Sequence, residues 1–110
     1  MISIAELKKR FLRDENPRRL GAIASDLARL SSLAQSENVN SSVFQNVFLE
    51  IKFFTEWAAE DADLKTQEMI LALQRTLSHL DIEHLSQSRE KIKEETRQWS
   101  ERILAISGLC

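Results

Sequence analysis

The sequence predicts an all-α fold, an antiparallel bundle of four main helices with a short helix ahead of them. Three observations lead there. Apolar residues recur in steps of three and four through most of the chain, the spacing of one helix face. Two Gly and one Pro in 110 residues are too few for a turn-rich β protein or a disordered chain. Ser, Asn and Asp stand where the periodic runs begin, as helix caps do. The length suits a single helical-bundle domain over residues 1–110, large enough to bury a core without a disulfide or a structural metal.

The first helix is expected from about Ile4. Ser3 and Glu6 have the spacing of a capping box, and Ile2 with Leu7 that of a hydrophobic staple. Ile4, Leu7 and Phe11 then make a stripe about two turns long, ended by Asp14, Glu15 and Asn16. Asn16 followed by Pro17 starts the second helix, because Asn caps free amides and proline at the first helical position has no amide to leave unpaired. Its stripe is Leu20, Ile23, Leu27, Leu30 and Ala34, widened by Ala24 and Leu33. Ser36 to Ser41 is a polar connector.

Ser42 with Gln45 predicts a second capping box that opens the third helix at Val43, and the acidic run Glu60, Asp61, Ala62, Asp63 ends it. This stretch holds four of the five phenylalanines and one of the two tryptophans. At about 100° per residue, Phe44, Val47, Phe48, Ile51, Phe54 and Ala58 share one face, while Leu49, Phe53 and Trp57 fall nearly opposite. A helix so built has two faces to cover.

Asp61 or Asp63 is placed to cap the fourth helix, whose stripe is Thr66, Ile70, Leu73, Leu77 and Leu80. After Leu80 the phase jumps. Ile82, Leu85, Arg89, Ile92, Thr96, Trp99, Ile103 and Ile106 form a separate run, which predicts a break near Ser78 to Asp81 with Asp81 capping the fifth helix. The rival is one helix from Leu64 to Ile106, about 64 Å long, whose halves meet different neighbours. Gly108 is set to end the last helix in the left-handed conformation.

The same residues offer little for catalysis. His79 and His84 flank Asp81 and Glu83, yet di-iron bundles need two acid-x-x-His pairs and further inward glutamates, and this chain has two histidines in all. The charged residues between Ser88 and Arg102 alternate with apolar ones and read as a solvated face. Glycines at 21 and 108 alone build no phosphate-cradling loop, and no nucleophile motif is present. Neither enzyme, cofactor nor metal is expected.

Charge is uneven along the chain. Residues 1–29 carry an excess of three positive charges and the rest an excess of five negative ones, for a net charge of −2. Lys8, Lys9, Arg10, Arg13, Arg18 and Arg19 flank the first predicted turn and could converge on a polyanion. A lone Cys110, an N-terminus without the order of a signal peptide, and the lack of an apolar run near ~18 residues suggest a cytoplasmic protein outside the membrane. The second aromatic face, Leu49, Phe53 and Trp57, is the expected interface, unless the first helix covers it. Leu64, Leu71 and Ile82 also lie off the main stripes. The expectation is a non-enzymatic interaction, adaptor or small regulatory protein, a homodimer or bound to a protein partner. The alternative is a small nucleic-acid-binding regulator using the basic end.

Overall fold

A computed structural model describes residues 3–35, 41–81 and 84–108. Ile2, most of the Ser36 to Ser41 connector, Ile82, Glu83, the side chain of Leu85 and Cys110 lie outside the described residues. Five helices follow one another: α1 (Ile4–Arg13), α2 (Asn16–Gln35), α3 (Ser41–Glu60), α4 (Leu64–Ser78) and α5 (Leu85–Ser107). They pack on one another as an all-α bundle, and among the described residues no helix is long and apolar enough to cross a membrane.

Local chemistry sets most helix ends where the sequence places them. The Ser3 hydroxyl accepts the Glu6 amide at 3.2 Å, and α1 begins at Ile4. Asp63 Oδ1 accepts the Thr66 amide at 2.8 Å and opens α4. That bond holds the Asp63 carboxyl below its ordinary pKa, because it favours the ionised form. Gly108 ends α5 at φ 79°, in the left-handed region that a Cβ disfavours. Helix α3 starts two residues earlier than expected, at Ser41.

The chain does break after Ser78. The Ser78 hydroxyl donates to the Arg75 carbonyl at 2.7 Å, and His79 Nδ1 lies 2.8 Å from the same oxygen. Side chains thus occupy the acceptor that the His79 amide would take in a continuing helix. The His79 and Leu80 amides turn instead to Thr76 and Leu77, three residues back. No Gly or Pro is required. Asp81 accepts the His84 amide at 3.2 Å, the spacing of a cap, but helical geometry begins only at Leu85, three residues later than a cap at Asp81 implies.

The four longer helices pack in the order α5, α2, α3, α4, with α1 against α3. Helix α2 packs most closely on α5 and next on α3, while α3 also meets α4 and α1. Ser100 Oγ donates to the Ala24 carbonyl at 2.7 Å and Ser31 Oγ to the Lys93 carbonyl at 2.9 Å. Seven residues forward on α2 therefore correspond to seven back on α5, which is antiparallel register. The core takes Leu20, Ile23, Leu27, Leu30 and Ala34 from α2, Phe44, Val47, Phe48, Ile51, Phe54 and Ala58 from α3, Ile70, Leu73 and Leu77 from α4, and Ile92, Trp99 and Ile103 from α5. Two stripe positions depart from expectation. Ile4 and Ile106 stand exposed, because α1 leans on α3 through Phe11 rather than its first turn, and Ser107 takes the buried place at the end of α5.

One arginine holds the corner where α1, α2 and the α3–α4 link meet. Arg19 Nε donates to the Asp14 carbonyl at 2.7 Å, one terminal nitrogen to the Leu12 carbonyl at 2.8 Å, and the other to Asp61 Oδ2 at 3.2 Å. Carbonyls left over at the end of α1 are thereby satisfied by a cation, the charge favoured at a helix C-terminus.

Candidate interaction groove

Helix α3 distributes its second aromatic face between two neighbours. Trp57 is covered inside the chain: it is 6% exposed, with the Phe11 ring of α1 at 5.9 Å and Lys8 Nζ 6.0 Å from its centroid. Phe11 in turn stacks on Phe54 at 4.4 Å, so α1 closes over the C-terminal half of α3. Phe53 stacks on Trp57 at 5.4 Å and is half-buried, and Leu49, one turn further back, is 50% exposed. The short first helix therefore covers one of the three expected interface residues and leaves the other two facing α4.

The seam between α3 and α4 is held by long polar side chains. Gln67 Nε2 donates to the Ala59 carbonyl at 2.8 Å, and Gln74 Nε2 to Thr55 Oγ1 at 3.2 Å. Thr55 is fully buried and its hydroxyl donates to the Lys52 carbonyl at 2.9 Å, so the bridge is satisfied at both ends. A glutamine reaching across a seam holds the helices further apart than alanine or serine would. The space left is an open groove of about 310 Å³, lined by Leu49, Phe53, Thr55 and Leu77 with Lys52, Glu56, Gln74 and Ser78 around them. On α4, Leu64 (72% exposed) and Leu71 (49% exposed) share the helix edge that carries Gln67, Gln74 and Ser78. Apolar surface thus extends along the α4 side of the groove.

A larger cleft of about 610 Å³ lies between the start of α4 and the end of α5. Asp63, Lys65, Glu68 and Arg102 bring mixed charge to it, and Met69, Ala72 and Ile106 supply its apolar part. With no aromatic side chain in its lining, it offers less of the anchor surface that interfaces favour than the α3–α4 groove does.

The six basic residues do not form one surface. Arg19 is spent on the corner and its side chain is 11% exposed. Lys8 sits over Trp57. Lys9, Arg10, Arg13 and Arg18 are exposed, with Arg13 and Arg18 beside Asp14 and Glu15 in a notch around Pro17. Both histidines have local partners. His84 Nδ1 pairs with the Asp81 carboxylate at 3.0 Å on the surface, His79 is bound to the end of α4, and among the described residues no three metal-ligating side chains come together. Along α5, Arg97 bridges Glu94 and Glu101, which lowers the Glu94 pKa and raises that of Arg97, on a solvated face as expected.

One chemically distinct residue escapes a reading based on motifs. Asp26 is 9% exposed on α2, and its Oδ2 has no hydrogen-bond partner among the described residues. Desolvation raises its pKa first and foremost, and the charge of Glu50 on α3 adds to the rise, against a smaller opposing effect of Arg29. The signal was there: Asp26 lies three residues after Ile23 and four before Leu30, and Glu50 three after Val47 and four before Phe54. Both acids occupy helical steps otherwise reserved for the core. Searches for similar proteins gave no match among protein-family models, curated proteins or solved structures.

Proposed function

We propose that this chain is a non-enzymatic interaction module of the cytoplasm whose docking face is the α3–α4 groove, received by an apolar helix of a partner protein or of a second copy. The observation that carries the reading is Leu49, half exposed beside the partly buried Phe53 in a groove whose polar bridge is already satisfied. A ligand helix would find apolar walls without having to break a protein hydrogen bond. Covering what remains open of Leu49, Phe53 and Leu71 would contribute about 1 kcal/mol each, a fraction of the value for burying a whole apolar side chain. Lys52 and Glu56 at the rim give one charge of each sign for orientation. The lone cysteine in the sequence fits a reducing compartment.

Sedimentation equilibrium and affinity capture from the native host test this reading with the Leu49→Glu chain beside the parent. Loss of dimer mass, or loss of a captured protein that the parent retains, is the expected result. If Leu49→Glu changes neither oligomer size nor captured proteins, the groove is not a docking face. The polyanion reading gains no comparable support, because Arg19 is committed inside the fold and Lys8 to Trp57.

A further inference from the structure

We propose that the α3–α4 groove receives the α4 helix of a second copy of this chain, the two α4 helices running antiparallel about a twofold axis midway between Leu71 and Gln74. The inference rests on the docking reading and names its partner. One surface carries both the groove and a ridge that fits it. Leu49 and Phe53 line the groove on its α3 side, and Leu64 and Leu71 stand 72% and 49% exposed along the outer line of α4. Seven residues apart, these two leucines differ by only about 20° around the helix. A surface with a hollow and a ridge side by side is complementary to its own twofold image, since each ridge fills the other copy's hollow.

The register within the chain sets the match. Gln74 reaches Thr55 and Gln67 reaches Ala59, so α3 and α4 run antiparallel. Stepping back from Thr55 places Phe53 near the level of Thr76 and Leu49 near that of Leu80. The axis puts Leu71 of the second copy level with Gln74, and its Leu64 level with Asp81. Both leucines then fall within about two residues, or about 3 Å along the helix, of the levels of Phe53 and Leu49.

Charge favours the same orientation. Lys52 and Arg75 lie toward the Ser78 end of the face, whereas Glu56 and Glu68 lie toward the Leu64 end, and all four are exposed. Lys52 is held at the groove rim, its Nζ 5.6 Å from the centroid of the Phe48 ring. Rotation about the axis sets the acidic end of one copy on the basic end of the other, so that Glu68 of the second copy comes level with Leu77, between Lys52 and Arg75. A parallel arrangement would set like charge on like. Asp81, at the basic end, is engaged by His84 Nδ1 at 3.0 Å. Glu68 and Arg75 also border the α4–α5 side of the helix, and Lys65 faces that side.

Sedimentation equilibrium of the full chain over a concentration series reads the proposal. The parent is expected to reach dimer mass. Leu71→Glu, at a half-exposed position, should keep its helicity and raise the dimer Kd at least about tenfold, because each substitution acts twice across a twofold axis. Glu68→Arg should weaken the dimer about fivefold, and adding Arg75→Glu to it should recover much of that loss, since antiparallel pairs re-form with their signs exchanged. A parent that is monomeric at every concentration overturns the proposal, and if Leu49→Glu still loses a captured host protein, the docking reading survives without it. A dimer indifferent to Leu71→Glu overturns it as well, as does a charge exchange that recovers nothing. A dimer indifferent to Leu49→Glu overturns both readings.

Discussion

The α2–α5 and α3–α4 seams join antiparallel helices in the same bundle, yet one is tight and the other holds a groove. Along α2–α5 the facing residues are small. Ala24, Ser31, Thr96 and Ser100 are all buried, and two serine hydroxyls reach the opposite helix's carbonyls directly. A carbonyl within 3 Å of a serine side chain requires the two backbones to approach closely. Along α3–α4 the reach is made by Gln67 and Gln74, whose longer side chains keep the helices apart. Leu49 and Phe53 border the gap that results. Short polar side chains thus accompany the sealed seam, and long ones the seam that keeps an open groove.

The sharpest way to break that contrast is to exchange side-chain size. Ser100→Leu should force α2 and α5 apart and remove a buried hydrogen bond, costing about 3 kcal/mol in urea unfolding. Gln74→Leu, made across the loose seam, should cost under about 1 kcal/mol because the groove has room for the new side chain. Equal losses at both seams would mean that packing room does not distinguish them.

Arg19→Ala tests the corner that ties the start of α2 to the end of α1 and to Asp61. Its guanidinium serves two carbonyls and a carboxylate from a mostly buried position, so a loss of about 2 kcal/mol is expected in the same measurement. The loss should diminish only partly at high salt, since two of its acceptors are backbone carbonyls. A stability change close to zero, with retention on nucleic acid abolished, would return Arg19 to the surface and favour the basic-end reading.

Leu49→Glu is the smallest expected effect on stability, within about 0.5 kcal/mol, because half of that side chain already meets water. Its effect on association should be large by comparison. A variant that unfolds like the parent but no longer associates would separate the docking role of the loose seam from its structural one.

Much of this was legible beforehand, residue by residue. Ser3, Asp63 and Gly108 act at the helix ends where they were expected, since each works on backbone groups within a few residues. The break after Leu80 was visible as a change of phase, but not the means by which Ser78 and His79 produce it. Six of the seven apolar core residues of α3 followed from angle alone, Trp57 being the exception. Leu49, Phe53 and Trp57 also shared a face by angle, but their separation into covered and open residues depends on where Phe11 lands, which no local pattern specifies. Arg19 looked like its five basic neighbours until the fold set it against the Leu12 and Asp14 carbonyls and Asp61.

The sequence by itself determined the helices, most of their ends and most of the stripes they bury, because capping bonds and helical periodicity act over three or four residues. Tertiary structure decided the openness of each seam, the cover over Trp57, the commitment of Arg19 and the burial of Asp26. Those outcomes depend on pairs far apart in the chain, such as Ser31 with Lys93 at a separation of 62 residues and Ser100 with Ala24 at 76. Their spacing is set by the side chains of both partners together.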